Sequence, residues 1–310
     1  MNASPVQVRR MSSAGAETNP IEGQVIWSPV KSLWFTAHLL IAIIGGWSTI
    51  SMGAMVLCMV FTGITLCLGL TLGLHRLLIH RSFTCPRWLE HLLVHLGTVV
   101  GMGGPFAMLY LHDSRDWAQR HPACHPFYRD QRPIWRDALW QLHCECRLKH
   151  PPRFEIEPEV REDRVYRFMQ RTWMLQQVPY AVLFYLLGGF GWVVWGISVR
   201  IVLSIIGHWL IGYFAHNLGE RDWHLQGHAV QGFNVPHLGL LTMGECWHNN
   251  HHAFPESARL GLNKAQADPG WWALRMLSFI GLITSVKLPA DMPARPELFP
   301  LKPNTNHTTL

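Results

Sequence analysis

The longest stretch without charge is the feature that most constrains this chain. From Ser32 to Leu74 the sequence contains no Asp, Glu, Lys or Arg in 43 residues. One continuous helix of that length would measure about 65 Å, roughly twice the hydrocarbon core of a bilayer. The stretch must therefore fold back, and the small residues between Gly45 and Ser51 favour a turn there. We predict two membrane-spanning helices, at about 33–49 and 52–73.

A second apolar region occurs later in the chain. Residues 172–199 and 201–219 carry no charged side chain, and only Arg200 separates them. We predict two further spanning helices, at about 175–197 and 201–216, with a tight turn at Arg200. Four spans return the chain to the side where it began. By the positive-inside rule, that side is the cytoplasm, because it carries the basic residues Arg9, Arg10, Lys31, Arg76 and Arg81.

The composition agrees with a membrane protein. Only 15% of the 310 residues are charged, against about 25% in soluble domains, and the 15 Trp suit membrane interfaces. The net charge of +6 does not indicate nucleic acid as a partner, because the basic residues flank apolar segments and face the lipid bilayer. The seven Cys are odd in number and lack framework spacing, which argues against a disulfide scaffold.

These features predict an all-α integral membrane fold with four transmembrane helices and a cytoplasmic helical cap. Residues 1–30 are polar and have no signal-peptide core, so we expect a flexible cytoplasmic N-terminal tail. The membrane domain covers 31–290, with cytoplasmic regions at 74–171 and 217–290, and 291–310 form a polar C-terminal tail. Residues 91–111 are long enough to span, but their glycines, histidines and proline predict a buried or half-inserted segment that returns to the same face.

The chain also contains a dense run of histidines. Gly244–Pro255 reads Gly-Glu-Cys-Trp-His-Asn-Asn-His-His-Ala-Phe-Pro and places histidines at 248, 251 and 252. On a helix, positions i, i+3 and i+4 share one face. Three neutral imidazoles on one face form half of a metal site, and imidazole suits Fe, Zn, Cu and Ni. A polar surface cluster is the alternative interpretation.

Further histidines occur where the predicted spans meet the cytoplasm. His75 and His80 follow the second span, His112 lies 37 residues after His75, and His216 ends the fourth span. The predicted topology brings all of them to one side of the bilayer. Five residues on an ideal helix are about 140° apart, so His75 and His80 face one site only if the helix bends or ends there. Otherwise they bind different metals.

The order and spacing of these histidine boxes resemble those of the integral-membrane fatty acid desaturases, of the Δ9 type that acts on acyl-CoA or acyl-lipid. The resemblance covers about residues 30–285. It implies a centre of two Fe ions, O2 as co-substrate, and a cis double bond introduced into a saturated acyl chain. It also implies electrons from a separate protein of the ferredoxin or cytochrome b5 type.

The second box departs from the family pattern, His-x-x-His-His. Here His112 is followed by Asp113, Ser114, Arg115 and Asp116. Arginine stays protonated and cannot bind the metal, whereas Asp116 lies at i+4 from His112 and carries a carboxylate. The ligands that the resemblance implies are therefore His75, His80, His112, Asp116, His216, His248, His251 and His252.

Other residues are candidates for the missing ligands. His121 and His125 are possible replacements in the second box, although Pro122 and their rotational offset disfavour them. The family commonly has Asn four residues before the histidine at 216, where this chain has Gly212. Asn217 or Asn234 could take over that role.

Two other functions fit the same boxes. One is a di-iron membrane hydroxylase or ketolase on the same scaffold, and the other is a degenerate, non-catalytic membrane protein that has lost its metal. The spacing of the boxes and the closing Asn-Asn-His-His-Ala-Phe-Pro favour the desaturase.

Overall fold

A computed structural model of the chain describes residues 9–129 and 131–301. The described part is mainly helical, as predicted, and adds three two-stranded antiparallel sheets. The α-helices are α1 (Pro29–Ser48), α2 (Met52–Ile64), α3 (Arg87–Val99), α4 (Pro105–Gln119), α5 (Ile134–His143), α6 (Pro158–Arg161), α7 (Arg164–Thr172), α8 (Val178–Val193), α9 (Arg200–Ala215), α10 (His248–Ala253) and α11 (Pro269–Phe279). The strands are β1 (Met11–Ser12), β2 (Gly23–Trp27), β3 (Cys144–Leu148), β4 (Arg153–Phe154), β5 (Trp223–Leu225) and β6 (Leu298–Pro300).

Three helical stretches among the described residues are long and apolar enough to span a membrane. They are Pro29–Ser48, Met52–Ile79 and Leu175–Ala215. In the second, α2 continues without a break into a π-helical segment, Thr65–Ile79. The helix is therefore longer than the predicted 52–73, and His75 lies inside it.

The third stretch folds back on itself at Gly189. This glycine has φ +73° and ψ −165° and interrupts α8. The guanidinium of Arg200 donates to Gln177 Oε1 at 2.6 Å, whereas 23 residues of straight helix would separate their backbones by about 35 Å. The turn that we predicted at Arg200 is thus wrong. Arg200 is buried inside a helix, where Gly196 O and Gln177 satisfy its charge.

The two apolar helical hairpins have their turns at the same end. A Cβ added to Gly191, beside the second turn, would lie 3.2 Å from the Cβ of Thr49 in the first turn. Trp195 Nε1 donates to Gly46 O at 3.2 Å just below these turns. The open ends of both hairpins therefore point the same way, toward the histidines.

The segment at 91–111 returns to the same side, as predicted. It divides into α3 and α4 at a short loop where Gly101 has φ +93°. α3 packs directly on the π-helical segment: a Cβ at Gly73 would lie 2.2 Å from Leu93 O, and one at Gly69 would lie 2.3 Å from Leu96 C. Only glycine permits this approach of two backbones.

The flexible N-terminal tail that we predicted is a second correction. β1 pairs with β4 and β2 pairs with β3, so residues 9–30 are held against the cap. β6 pairs with β5 in the same way, within the predicted 291–310 tail. Polar composition hid these pairings, because backbone hydrogen bonds between short strands leave little hydrophobic pattern. Residues 1–8 and 302–310 of the predicted tails lie outside the described part.

Candidate metal centre

Seven of the predicted histidines converge in two neighbouring groups at the open ends of the hairpins. Within each group, the candidate ligand atoms lie within 4.8 Å of one another. The four-histidine group consists of His75, His80, His112 and His251. The three-histidine group consists of His216, His248 and His252.

The π-helical segment brings His75 and His80 together. The amide of His80 donates to the carbonyl of His75 at 3.1 Å, which is the i to i+5 pattern of a π-helix. The two ring centroids are 4.8 Å apart. The wider turn places residues five apart on one face, which an ideal α-helix does not. This geometry resolves the 140° offset expected from the sequence.

The short helix α10 supplies histidines to both groups. His248 Nε2 and His252 Nε2 are 3.0 Å apart, one helical turn from each other. His251 points to the other group instead, with its ring centroid 4.6 Å from that of His75. The single shared face predicted for all three histidines is thus divided between two adjacent groups.

The distances between ring nitrogens fit metal ions. His80 Nε2 lies 3.2 Å from His112 Nε2, and His216 Nε2 lies 3.0 Å from His248 Nε2. Two nitrogens that bind one ion at about 2.0–2.1 Å are expected to lie roughly 3.0–3.4 Å apart. In addition, His251 Nδ1 is buried and lacks a hydrogen-bond partner among the described residues. Both observations indicate a built metal site.

Burial keeps the imidazoles in the form that binds metal. The pKa values of His80, His248, His251 and His252 lie well below the ordinary value, first because of desolvation and then because of repulsion among the rings. The rings are therefore neutral at pH 7, with lone pairs free for a cation. A donor set of imidazoles suits iron among other transition metals.

Two hydrogen bonds and one close carboxylate lie on the far sides of three rings. His216 Nδ1 donates to Gly212 O at 2.8 Å, and His112 Nδ1 donates to Asp113 Oδ1 at 3.1 Å. His75 Nδ1 lies 2.7 Å from Glu245 Oε2. Such partners fix the orientation and tautomer of a ligand histidine. The sequence did not assign these roles to Asp113 or Glu245, although both lie close to a histidine box.

Asp116 belongs to neither histidine group in the structure. Arg120 forms a bidentate ion pair with the carboxylate of Asp116, with Nε–Oδ1 and Nη2–Oδ2 distances of 2.8 Å. Burial would raise the pKa of Asp116, but Arg120 and His112 outweigh it and lower the pKa. Arg115 donates to Gln141 at 2.7 Å. The two positions of the changed box thus carry hydrogen-bonded or ion-paired side chains.

The other candidate residues have structural partners. His121 Nδ1 donates to Trp117 O at 2.8 Å, and His125 Nδ1 accepts from the amide of Phe127. Neither ring joins the two groups. Asn217 donates to Tyr213 O at 2.7 Å. Asn234 Oδ1 accepts from the amide of Asn249 at 3.0 Å, so it anchors the start of α10.

Arg76 has a buried role that the sequence did not suggest. We used it only as one of the basic residues that mark the cytoplasmic side, and its side chain is 1% exposed. It pairs with Asp268 at 2.7 Å and donates to Ala258 O at 2.7 Å. Asp268 also caps α11 by accepting from the amide of Trp271. This pair fastens the histidine-bearing π-helical segment to the C-terminal part of the cap.

The comparisons with known proteins agree on one family. The family model described as fatty acid desaturase matches residues 50–278. An sn-1 stearoyl-lipid 9-desaturase of Anabaena variabilis is 36% identical over 248 residues, 78% of this chain and 86% of the relative.

Other relatives act at other positions. An acyl-CoA C20 Delta5-desaturase of Anemone leveillei is 31% identical over 252 residues, 80% of this chain and 78% of the relative. A chloroplastic palmitoyl-monogalactosyldiacylglycerol delta-7 desaturase of Arabidopsis thaliana is 35% identical over 234 residues, 72% of this chain and 59% of the relative.

Proposed function

The chain belongs to the fatty acid desaturase family, and we propose that it is an O2-dependent enzyme that introduces a cis double bond at a Δ9-like position of a saturated fatty acyl chain. The family makes it an oxidoreductase, and its apolar helices make it a membrane protein. The observation that carries the proposal is the pair of adjacent histidine groups at the open ends of the apolar hairpins.

The two groups would each hold one iron ion. His75, His80, His112 and His251 would bind the first, and His216, His248 and His252 the second. Asp116 would add an oxygen ligand to the second ion when Arg120 releases it. Bound iron would supply the redox chemistry with O2 that an unactivated C–H bond requires.

The overall reaction balances with an external reductant. A –CH2–CH2– unit, O2, two electrons and two protons give –CH=CH– and two molecules of water. The acyl chain loses two hydrogens and is oxidised, while O2 is reduced. The two electrons would come from a separate partner protein of the ferredoxin or cytochrome b5 type.

The chain's own residues would prepare the site for this reaction. Asp113, Glu245 and the carbonyl of Gly212 hold the outer nitrogens of three rings, so that the inner nitrogens face the metals. The low pKa values of the buried histidines mean that no protons have to leave before metal binds.

We propose four spanning helices, with both termini and the metal centre on the cytoplasmic side. The shared location of the two hairpin turns supports this topology, because each hairpin then crosses the bilayer twice. Regions 74–171 and 217–290 would form the cytoplasmic cap. The positive-inside rule gives the orientation.

The position of the double bond is proposed from the relatives. The stearoyl-lipid 9-desaturase shares 36% identity with this chain, which favours a Δ9-like position. Relatives with Delta5 and delta-7 in their names match this chain at a similar identity, 31% and 35%. The acyl chain would be carried either by CoA or by a membrane lipid.

The test is fatty acid analysis of a host that lacks its own desaturase. The host expresses the wild type, His248→Ala, or His150→Ala, a histidine paired with Glu17 outside the groups. We expect a new monoene with the wild type and with His150→Ala only. Fragmentation in gas chromatography–mass spectrometry gives the bond position. A hydroxylated acid, or unchanged fatty acids with iron-loaded protein, would contradict the proposal.

A further inference from the structure

The N-terminal segment places a buried arginine against the four-histidine group. The side chain of Arg10 is 0% exposed. It donates from Nη2 to Leu78 O at 3.0 Å and from Nη1 to Ile79 O at 3.2 Å. These carbonyls belong to the last turn of the π-helical segment, immediately before His80. Arg10 therefore caps the end of the helix that carries two of the four histidines.

The same guanidinium also contacts the carboxylate behind His112. Arg10 Nη1 lies 3.1 Å from Asp113 Oδ2, while the other oxygen of Asp113 accepts from His112 Nδ1 at 3.1 Å. Arg10 Nε donates to Glu157 Oε2 at 2.7 Å. One side chain thus connects the two elements that supply His75, His80 and His112.

This arrangement suits arginine and no other residue. The guanidinium presents five N–H donors in a fixed plane, so it can bind two carbonyls and two carboxylates at once. Asp113 is buried, and its two carboxylate oxygens are held by Arg10 and by His112. A carboxylate held in this place orients the ring of His112 so that its Nε2 faces the other histidines of the group.

We propose that Arg10 is a positioning residue for the four-histidine group, acting through Asp113 and the end of the π-helical segment. The inference rests on the metal binding in the proposed function and adds to it a residue from outside the histidine boxes. Loss of the Arg10 guanidinium lowers the metal affinity of the four-histidine group. The three-histidine group has no contact with Arg10 among those described and keeps its affinity.

A purely structural role has a different signature. β1 pairs with β4 next to Arg10, so the arginine could serve only to hold the N-terminal segment in place. Its loss would then lower stability and weaken both groups alike. Selective weakening of one group is what separates the two roles.

The experiment is a Co(II) titration of the full-length apo-protein in detergent, read from visible absorption and metal content. His80→Ala and His252→Ala assign the binding steps to the two groups. Arg10→Lys keeps the positive charge and removes the planar guanidinium with its five N–H donors. Arg9→Gln is the matched control, because Arg9 is 39% exposed and approaches Glu157 and Glu256 only at 3.9 and 4.0 Å.

We expect Arg10→Lys to weaken Co(II) binding to the four-histidine group by about 10- to 100-fold. Losses of this size are usual when a residue that hydrogen-bonds to a metal ligand is replaced. Arg9→Gln should match the wild type. Asp113→Asn is a second variant that does not depend on how Arg10→Lys folds, and it should weaken the same step. The double variant should lose less affinity than the two single losses combined, because both variants act in part through one carboxylate, while Arg10 also binds the carbonyls of Leu78 and Ile79.

The outcomes separate this inference from the proposed function. If the wild type binds two Co(II) ions but Arg10→Lys and Asp113→Asn leave the four-histidine step unchanged, or weaken both steps equally, Arg10 is not a positioning residue. If the wild type binds no Co(II), the metal-binding function itself is wrong.

Discussion

His75 and His80 face one another across one turn of π-helix, with ring centroids 4.8 Å apart and a backbone hydrogen bond of 3.1 Å between them. π-Helical turns are rare and occur mostly at functional sites. Here the turn converts a five-residue spacing into a pair of side chains on one face. The long apolar helix thereby also brings two histidines of the four-histidine group together at its end.

The first prediction concerns the metal content. His80→Ala should lower bound iron from two ions per chain to about one, because the four-histidine group loses a donor that the others do not replace. Elemental analysis of purified protein measures this. His150→Ala, outside both groups, should retain the wild-type content. Two ions per chain in His80→Ala would contradict the assignment.

A double substitution in the changed second box should strengthen metal binding, whereas His80→Ala weakens it. In Asp116→His/Arg120→Gln, a histidine takes the place of the carboxylate, and the arginine that would compete with a metal is gone. We expect the three-histidine group to bind Co(II) more tightly than in the wild type. Asp116→Asn should weaken the same step. Equal affinity in all three proteins would show that position 116 does not contact the metal.

α3 and the π-helical segment are in such close contact that one added methyl group should lower the stability of the fold. In Gly73→Ala the new Cβ would lie 2.2 Å from Leu93 O, so the two backbones must separate. Overpacking of this kind costs about 1–3 kcal/mol. The matched control is Gly63→Ala, which has open space around its Cβ and should be neutral or slightly stabilising. Thermal unfolding in detergent compares the two, and equal midpoints would refute the contact.

The turn of the second hairpin gives a similar test. Gly189 has φ +73° and ψ −165°, a conformation that costs other residues about 1–3 kcal/mol. Gly189→Ala should therefore lower the unfolding temperature. Gly207→Ala, in the regular part of α9 with nothing near its Cβ, should not. A stable Gly189→Ala variant would mean that the chain does not turn there.

The pH dependence of stability should involve Glu90. Burial would raise its pKa, but the Tyr166 hydroxyl, which donates at 2.5 Å, and Arg87 and Arg81 outweigh this and lower the pKa. A lowered carboxyl pKa stabilises the fold above the unfolded value of about 4.3. That contribution is lost as the pH falls through the folded pKa. Glu90→Gln should be less stable at pH 7 and should lose less stability between pH 6 and 3, as measured by thermal unfolding.

Much of the centre could be predicted from the sequence, because metal chemistry leaves a pattern in residue types. Seven of the eight proposed ligands lie in the two histidine groups. The uncharged runs also predicted the first apolar hairpin and the place of the second apolar stretch, but not its turn at Gly189. Their signal is strong because hydrocarbon excludes charge over tens of residues.

The remaining features depend on contacts between residues far apart in sequence. We placed a turn at Arg200 because a charge inside an apolar run is unusual. Its partner Gln177 becomes evident only in the folded structure. Arg10 lies in a polar segment and acquires its role from Ile79 and Asp113. The π-helical turn could not be predicted either, since residue types do not distinguish it from an α-helix.

The short helix α10 has one more consequence. Because its six residues give His251 to one group and His248 and His252 to the other, the separation of the two histidine groups is set by a single turn of backbone. A short helix of this kind would keep two ions, as proposed for the two groups, at a fixed separation. Substitutions elsewhere in the protein can therefore change which acyl chain is accepted in the proposed reaction, while the spacing of the two histidine groups stays constant.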